Sequence, residues 1–481
     1  MMRRLSLLAL AATGFIFPAQ AEDNSPYQGM KVDQLYRTLC ATCHGQKFEG
    51  GVGGSLVDGQ WKFGSSASEI FKSIHDGNKQ LGMAAFGETL SDQQIRGLVI
   101  YLQEKEKEER FKKRTFPKPD PNKVTKTDRL SYRTEIVTEG LNHPWAVAFL
   151  PNGQRLVTER GGTLRLIEKD GSLIKDPIAN TPQVVAKGQG GLLDVAVHPN
   201  HAENGWVYLA LSDPHPDDLE KPVKKQRSLT AVYRGRIKDG AWTEQETIWR
   251  GPLKDYWTAG HHYGTRMVFQ DGYLFFPVGE RGGNAKSQDP GLATAKFFRV
   301  HDDGRIPKDN PTFEKGPGPK GAWSMGHRNP QGVAIHPQTG LIWSTEHGPR
   351  GGDELNLIEP GNNYGWNYVT YGMNYNGTPI TDKTTAPGIT DPVHFWVPSI
   401  AVCGLAFYDG DQFPEWQNDL FVGALKQQEV RRLRLDGNKV TEEEIIFKDF
   451  GRIRDVRSAP DGHLYLLTNN PGRLIRLSAA K

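Results

Sequence analysis

The sequence predicts a small all-α domain followed by a larger all-β domain, a six-bladed β-propeller, and three observations support this fold class. A chain of 481 residues is too long for one ordinary hydrophobic core. Its 54 glycines and 31 prolines suit a protein rich in turns and strands. In the C-terminal part, a pair of apolar strands joined by a turn recurs six times, and a propeller needs one strand-rich blade per repeat.

The first 21 residues have the three parts of a secretory signal peptide. Met1 to Arg4 form a positive region, Leu5 to Phe17 an apolar stretch, and Ala19-Gln20-Ala21 a small-residue cleavage site. An uncleaved anchor is the alternative, but this apolar run is short for a membrane span. We therefore expect residues 1–21 to be removed on export, leaving a periplasmic protein without a membrane span.

Residues 22–106 are predicted to form the helical domain. Ser91 and Gln94 have the spacing of a capping box, which marks the start of a helix. Residues 107–130 are interpreted as a linker, because a charged run from Glu104 to Arg114 precedes a proline-spaced stretch, and we expect the charged run to be a solvated helix end. The predicted helices are Val32–Leu39, Ala67–Asp76 and Ser91–Leu102.

A Cys-x-x-Cys-His motif, Cys40-Ala41-Thr42-Cys43-His44, lies in this domain. Thiols at this spacing can form thioethers with both haem vinyl groups, and the adjacent imidazole then reaches the iron as an axial ligand. A redox dithiol would need a βαβ context, and a zinc site would need a second pair of ligands. The motif therefore predicts haem c attached through Cys40 and Cys43, with His44 bound to the iron.

A second axial ligand is expected in the loop before the last helix of this domain. Met83 lies in Gly82-Met83-Ala84-Ala85-Phe86, and the domain resembles small class I cytochromes c, whose distal methionine occupies such a loop. A thioether ligand raises the haem potential. In the alternative interpretation Met83 only fills the core, and His75 or no side chain binds the iron.

The remaining residues, 131–481, alternate between short apolar strands and turns. The intervals between hairpins are irregular, so we expect insertions between the blades. The six predicted hairpins are Trp145–Leu150 with Arg155–Glu159, Leu192–Val197 with Trp206–Leu211, Arg266–Phe269 with Tyr273–Val278, Gly332–Ile335 with Leu341–Thr345, Leu405–Tyr408 with Leu420–Ala424, and Ile453–Ser458 with His463–Leu467.

Unusual polar residues occur at equivalent positions in several hairpins. The entrance of a hairpin's first strand and the exit of its second share one end, so these residues should converge near the propeller axis. Such a cationic ring suits a planar polyanionic ligand, whereas independent surface charges are the alternative. The residues before a first strand are Gln189, His262, Arg266, Arg328, Asn329, Arg452 and Arg454, and those after a second strand are Lys426 and Glu346 to Arg350.

Ordered motifs in this domain resemble the PQQ-dependent glucose/sorbosone dehydrogenase family (PQQ, pyrroloquinoline quinone). The resemblance extends over residues 133–479 and is greater to the aldose sugar dehydrogenase branch than to the soluble glucose dehydrogenases. The motifs are Gly188-Gln189-Gly190-Gly191-Leu192-Leu193, His262-Tyr263-Gly264-Thr265-Arg266, Gly326-His327-Arg328-Asn329-Pro330-Gln331-Gly332, Glu346-His347-Gly348-Pro349-Arg350-Gly351-Gly352-Asp353-Glu354, Asn363-Tyr364-Gly365-Trp366, Gly423-Ala424-Leu425-Lys426 and Arg452-Ile453-Arg454-Asp455-Val456.

The resemblance implies a role for each residue of the ring. His262 would be the general base that takes the proton of the sugar C1 hydroxyl while hydride passes to PQQ. Arg328 would also favour the negative charge that develops on the quinone oxygens. The residues that would hold PQQ are Gln189, Arg266, Arg328, Asn329, Lys426, Arg452 and Arg454.

The family pattern also implies Ca²⁺, which prefers oxygen ligands. The backbone carbonyls of Gly348 and Pro349 would bind a Ca²⁺ that also coordinates PQQ, and Glu354 with the Tyr364 carbonyl would bind a second, structural Ca²⁺. A carboxylate in a surface salt bridge is the alternative interpretation of Glu354.

One residue departs from the family pattern. His261 stands where relatives tend to carry aspartate or asparagine beside the base. A protonated His261 would lower the pKa of His262. Activity would then require a higher pH, unless His261 points away.

Together the two domains indicate a sugar dehydrogenase in which electrons pass from a sugar through PQQ and the fused haem to an external cytochrome or oxidase. The net charge of +3, without a basic stripe, argues against a nucleic-acid partner. A Ca²⁺-dependent propeller lactonase is one alternative, although hydrolysis needs no haem, and a non-catalytic binding propeller is another. The sugar and the oligomeric state are left open.

Overall fold

The computed structural model describes residues 26–111, 116–313, 316 and 318–480. The predicted signal peptide, residues 1–21, lies outside the described residues. Among the described helices, none combines the length and the apolar character that crossing a bilayer requires. The α-helices are Val32–Leu39 (α1), Ala41–His44 (α2), Ala67–Asp76 (α3), Asp92–Phe111 (α4) and His201–Asn204 (α5), and short 3₁₀ helices are Lys79–Leu81, Pro216–Asp218, Val223–Lys225, Leu253–Asp255, Asn284–Gln288 and Pro414–Trp416.

The N-terminal helices form where the sequence predicts them. The bounds of α1 and α3 agree with the predicted ones. At the start of α4, the Gln94 backbone N–H donates to Ser91 Oγ at 3.3 Å, and the Ser91 N–H donates to Gln94 Oε1 at 2.9 Å, so the predicted capping box is present. The apolar faces of α1, α3 and α4 pack into one core.

The charged end of α4 differs from the expectation of a solvated helix end. Glu104 and Glu106 are buried, and α4 continues to Phe111. The physical reason is that Glu104 contacts cations of the β domain, while Glu106 accepts a hydrogen bond from the Trp61 indole at 3.2 Å. That expectation is therefore wrong for these two residues.

The β domain is a six-bladed propeller, which confirms the predicted fold class. Each blade is an antiparallel sheet that starts with the strand nearest the axis. The blades are β3–β5 (Pro144–Phe149, Arg155–Glu159, Thr163–Ile167), β6–β9 (Leu192–Val197, Val207–Pro214, Ser228–Lys238, Ala241–Arg250), β10–β13 (Val268–Gln270, Tyr273–Val278, Lys296–His301, Ala322–Met325), β14–β17 (Pro330–Ile335, Ile342–Glu346, Asp353–Leu357, His394–Trp396), β18–β21 (Val402–Phe407, Leu420–Ala424, Glu429–Asp436, Lys439–Lys448), and β22–β24 (Ile453–Ser458, Leu464–Asn469, Gly472–Ala479) completed by β1 and β2 (Val124–Lys126, Ser131–Glu139).

The ring closes by pairing strands from the two ends of the β domain. Strand β2 lies antiparallel to β24, with Thr134 opposite Leu477, so the last blade contains both the first and the last strands of the propeller. This pairing protects the edge of β24, which would otherwise expose unpaired backbone groups. Buried side chains of this blade, such as Leu466 and Ile475, continue the core between neighbouring sheets.

Local sequence determines the tight turns and the close packing at the axis. Strands β10 and β11 are joined by Asp271-Gly272, both with positive φ, as a two-residue hairpin turn requires. Near the axis, a Cβ atom on Gly404 would lie 2.5 Å from the Asp455 Cα. A larger residue at position 404 would therefore push the inner strands of the last two blades apart.

A buried ion network lies at the axis. The Arg266 guanidinium Nη1 is 2.7 Å from Asp194 Oδ1 and 3.1 Å from Asp455 Oδ2. The same carboxylates accept hydrogen bonds from the backbone N–H groups of Met267, at 2.7 Å, and Val147, at 3.1 Å. Residues from the first, second, third and sixth blades are thereby joined through one cation.

The helical domain packs against loops of the β domain. Met373 of the β domain is part of the helical core. The Val32 N–H donates to the Gly377 carbonyl at 3.1 Å, and Arg96 Nη2 donates to the Asp382 carbonyl at 3.0 Å. The loop at residues 371–383 therefore forms much of the contact between the two domains.

Arg457 also contacts these carboxylates, with Nε 3.0 Å from Asp455 Oδ2 and Nη2 3.3 Å from Asp194 Oδ1. We expect Arg266→Met to lower the free energy of unfolding by about 3–5 kcal/mol, because one arginine is then left to balance two buried carboxylates. Urea unfolding followed by tryptophan fluorescence measures this change. Arg305→Met is the matched control, since Arg305 is 72% exposed and pairs with Asp303 at the surface, and it should cost less than about 1 kcal/mol. Equal midpoints for the two variants would contradict the structural role of the axial network.

Candidate active site

The loop between β9 and β10 carries His262 at the end of the propeller where the predicted polar residues converge. His262 has a left-handed backbone, with φ of 54°. Its N–H donates to Gln189 Oε1 at 2.8 Å, and the Gly264 N–H donates to Asn329 Oδ1 at 3.1 Å. Gln189 and Asn329, which the sequence predicts as ligand-binding residues, therefore also hold this loop in its conformation.

A carboxylate that the sequence analysis missed orients the imidazole. His262 Nδ1 pairs with Glu280 Oε1, and the Glu280 side chain is fully buried. Because Nδ1 is engaged, Nε2 is the nitrogen left for a substrate hydroxyl. Glu280 is the second residue after β11, the second strand of its hairpin, so the rule that identified the ring could also have found this residue.

Burial and nearby cations keep His262 neutral. The pKa of His262 is lowered to about 2, and burial of the imidazole is the largest cause. The charge of Arg328 is the next cause, and His261 and Arg281 add smaller effects. The expectation that His261 lowers this pKa is therefore confirmed in direction. An imidazole that is already neutral at pH 7 can accept a proton without a further rise in pH. The expected requirement of a higher pH for activity therefore does not follow.

Arg328 connects His262 to the Gly348-Pro349 segment. Its Nη1 donates to the carbonyl oxygens of His347, at 3.0 Å, and Gly348, at 2.6 Å. The guanidinium lies 5.0 Å from the centre of the Trp366 ring. Burial raises the pKa of Glu280 even though Arg328 and His261 act in the opposite direction.

His347 lies at the centre of the converging residues. Its pKa is well below the usual value because of burial and the charges of Arg454, Arg328 and Arg452. The Gln331 side-chain oxygen lies 3.2 Å from His347 Nε2 and accepts from Arg454 Nη1 at 2.8 Å. Gln331 lies within one of the family motifs, but the sequence analysis gave it no role.

Arg266 differs from the other arginines of the predicted ring. Asp194 and Asp455 balance its charge, and its guanidinium packs 4.4 Å from the centre of the Trp145 ring. It brings no uncompensated positive charge to the site. The cationic character of the ring therefore rests on Arg328, Arg452, Arg454 and Lys426.

A cavity of about 370 Å³ lies beside His347, whereas His262, Arg328 and Arg454 are not among its lining residues. Small-molecule sites usually have volumes of about 300–1,000 Å³. Gly348, Pro349 and Lys426, which the sequence predicts as site residues, line this cavity together with His347. Side chains of α4 form part of its wall. The lining residues are Glu104, Glu108, His347, Gly348, Pro349, Arg350, Asp353, Tyr375, Ser399, Ala401 and Lys426.

The donors of the site fit an anionic ligand. Within the described part of the chain, Arg328 Nε, Arg454 Nε and Arg266 Nη2 are buried and have no hydrogen-bond partner. Buried donors without partners are costly unless a ligand satisfies them. Guanidinium groups pair well with carboxylates, so a small polycarboxylate such as PQQ is compatible with this donor set.

The oxygen atoms proposed for Ca²⁺ lie in two places. The carbonyls of Gly348 and Pro349 belong to segments that line the cavity, and each accepts one hydrogen bond, from Arg328 and Ser399. Glu354 is different, because burial and the neighbouring Glu346 raise its pKa to about 8. A cation would relieve that cost. The described residues contain no group of three His, Cys, Asp or Glu side chains arranged for a metal.

The Cys-x-x-Cys-His motif spans the short helix α2. The Gly54 carbonyl lies 2.8 Å from His44 Nδ1, which leaves Nε2 for an iron ligand. A Cβ atom on Gly53 would lie 2.7 Å from His44 Cε1, so a glycine is needed beside this ring. Met83 packs on the same core as Cys40, whereas His75 Nδ1 pairs with Asp76 at 2.7 Å.

Comparisons with known proteins agree with both domains. The glucose/sorbosone dehydrogenase family matches residues 141–476, and subunit III of cbb3-type cytochrome c oxidase matches residues 28–102. The aldose sugar dehydrogenase YliI of Escherichia coli (strain K12) is 42% identical over 352 residues, which cover 72% of this chain and 92% of that protein.

Solved structures are similar over the same share of the chain. The soluble aldose sugar dehydrogenase of Escherichia coli in its apo-form is 41% identical, with a TM-score of 0.68, and the match covers 73% of this chain and 100% of that one. The PQQ-bound form of an aldose sugar dehydrogenase from Streptomyces coelicolor is 25% identical, with a TM-score of 0.58, covering 76% of this chain and 100% of that one.

We expect the His262 imidazole of the ligand-free protein to stay neutral from about pH 8 to about pH 4, because its pKa is lowered to about 2. Nitrogen-15 chemical shifts of labelled histidines measure this, with His262→Gln used to assign the resonance. Since the unfolded chain would bind a proton near about pH 6.5 and the folded one would not, His262 should also destabilise the fold as the pH falls below that value. An imidazole that titrates near its ordinary pKa in the folded protein would contradict the burial argument.

Proposed function

The chain belongs to the glucose/sorbosone dehydrogenase family, and we propose that it oxidises an aldose, or a related polyol or aldehyde, at C1 with PQQ as cofactor. We further propose that the electrons pass to a haem c in its own N-terminal cytochrome c domain. The observation that carries this proposal is the His262–Glu280 pair beside Arg328, whose guanidinium donates to the carbonyl of Gly348. Gly348 and Lys426 line the same cavity.

His262 is the proposed catalytic base. Its neutral Nε2 accepts the proton of the sugar C1 hydroxyl, and Glu280 holds Nδ1–H, so the ring keeps its tautomer and orientation. The imidazolium formed in this way is stabilised by the adjacent carboxylate. Glu280 is therefore proposed as a positioning residue, which acts on the reaction through His262.

The cations of the site hold the cofactor. Arg328, Arg452, Arg454 and Lys426 pair with its carboxylates and quinone oxygens, while Gln189 and Asn329 keep the His262 loop beside it. When bound, PQQ supplies an acceptor for the hydride that leaves C1. Arg266 supports this arrangement from the axis through its pairs with Asp194 and Asp455.

Ca²⁺ is proposed at two positions. The Gly348 and Pro349 carbonyls would hold one ion at the cavity, where it would bring positive charge to the cofactor. Glu354 and the Tyr364 carbonyl would hold the second. The raised pKa of Glu354 supports this second site, because desolvation and the charge of the neighbouring Glu346 disfavour the ionised carboxylate, and a cation would offset both.

The N-terminal domain is proposed to hold haem c through Cys40 and Cys43, with His44 and Met83 as axial ligands. A haem takes one electron at a time, and a tethered acceptor has a high effective concentration. Helix α4 belongs to the core on which Cys40 packs, and its Glu104 and Glu108 line the cavity, so one helix connects the two proposed redox sites. Export to the periplasm and an external cytochrome or oxidase as the final acceptor complete the proposal.

We expect His262→Gln to lower kcat by about 10²–10⁴-fold, the usual loss when a general base is removed, while the affinity for PQQ stays within a few-fold of wild type. Protein reconstituted with Ca²⁺ and PQQ is assayed with aldoses and a dye acceptor. His261→Gln is the matched control, because its ring is adjacent to that of His262, with the centres 4.8 Å apart, and it should keep most of the activity.

Two results would contradict the dehydrogenase proposal. One is sugar oxidation at the wild-type rate by His262→Gln. The other is a wild-type protein that fails to bind PQQ, and lactone hydrolysis without PQQ would then favour the hydrolase alternative.

We expect sugar to reduce the haem within the same molecule. In a stopped-flow experiment, wild-type protein loaded with Ca²⁺ and PQQ should develop the absorption bands of reduced haem at a rate independent of protein concentration. Protein given Ca²⁺ without PQQ is the control and should stay oxidised. A haem that stays oxidised while a dye acceptor is reduced would rule out internal electron transfer.

A further inference from the structure

Helix α4 of the cytochrome c domain places a carboxylate against two cations of the propeller. Glu104 Oε1 lies 2.7 Å from Lys426 Nζ, and Glu104 Oε2 lies 2.6 Å from Arg350 Nε. The Glu104 side chain is 9% exposed, whereas Lys426 is 48% exposed. All three residues line the same cavity.

This arrangement is not explained by the packing of α4 alone. A helix face that only covered the propeller would not need a buried carboxylate next to Lys426, because burying a charge is costly. The two contacts balance the charge of Glu104, but they also occupy Lys426, a cation at the edge of the cavity. An anionic ligand of the cavity would compete for the same ammonium group.

We propose that Glu104 is a residue of the cofactor site: it holds Lys426 in place of a cofactor carboxylate, and the cofactor displaces it on binding. The proposal rests on the proposed function for the identity of the anion. Cofactor binding would thereby be coupled to the contact between the two domains.

The exchange requires only a small rearrangement. Lys426 is half exposed on a flexible stem, so its ammonium can move to a new carboxylate while the Lys426 backbone stays in place. Glu104 remains paired with Arg350, which is 17% exposed. Glu104 therefore keeps a counter-charge after the Lys426 ammonium moves away.

Competition follows from charge. One ammonium group cannot pair fully with two carboxylates, and two carboxylates close together repel each other. Because Glu104 is held beside Lys426 by the docked domain, it competes at a high effective concentration. By linkage, a domain contact that weakens cofactor binding must itself be weakened by the cofactor to the same degree.

The test is equilibrium binding of PQQ to the full-length protein in the presence of Ca²⁺, followed by tryptophan fluorescence and by calorimetry. Glu104→Gln keeps the size of the side chain but removes the competing charge. We expect its Kd for PQQ to fall about 3- to 10-fold, the latter corresponding to about 1.4 kcal/mol. The haem spectrum of each variant reports that the helical domain is intact.

Glu108→Gln is the matched control. Glu108 lies one turn further along α4 and lines the same cavity, but its ion pair is with Lys105 of its own helix at 2.6 Å. Because this ion pair lies within α4, Glu108→Gln should lower the Kd for PQQ by clearly less than Glu104→Gln does. Lys426→Met should weaken PQQ binding, and in that background Glu104→Gln should no longer change the Kd, as a double-mutant cycle would show.

Amide hydrogen exchange supplies a second readout. Peptides from the middle of α4 should exchange faster after PQQ binds to wild type, and this change should be smaller in Glu104→Gln. Equal or weaker PQQ binding by Glu104→Gln would overturn the inference, because Glu104 would then only position Lys426. No PQQ binding by any variant, wild type included, would instead overturn the proposed function and this inference with it.

Discussion

The buried pairing of Arg266 with Asp194 and Asp455 is the constraint on which the rest of the propeller end depends. A guanidinium at the axis must be matched by carboxylates, and these come from residues 72 and 189 positions away. Arg266 follows His262 by four residues, and Asp455 directly follows Arg454. The network that joins four blades at the axis thus also fixes the positions of the proposed base and of a proposed cofactor-binding cation.

The same burial makes His262 suitable for its proposed role. A fully exposed imidazole would be partly protonated near neutral pH, whereas burial and the charge of Arg328 keep this one neutral. Glu280 bears a corresponding cost, since burial raises its pKa. The neutral state of His262 and the burial of Glu280 therefore depend on the packing of the propeller, and not on the sequence of the His262 loop alone.

Local patterns predicted much of the fold, and long-range pairing explains what they missed. The six hairpins and the helices α1 and α3 follow from hydrophobic periodicity, caps and turn residues, and hairpin topology correctly brought His262, Arg328, Arg454 and Lys426 to one end. The neutralisation of Arg266 was missed because its partners are remote in sequence. The burial of Glu104 was missed for the same reason, since Arg350 and Lys426 are 246 and 322 residues away.

The position of α4 means that the two domains cannot be treated as independent modules. Met373 of the propeller completes the helical core, and Glu104 of the helical domain balances cations at the cavity. A change in the charge of the cavity must therefore alter the free energy of domain contact, and a change in domain contact must alter the cavity. Under the proposed function, this arrangement would link cofactor occupancy to the surface across which electrons would pass from the quinone site to the haem.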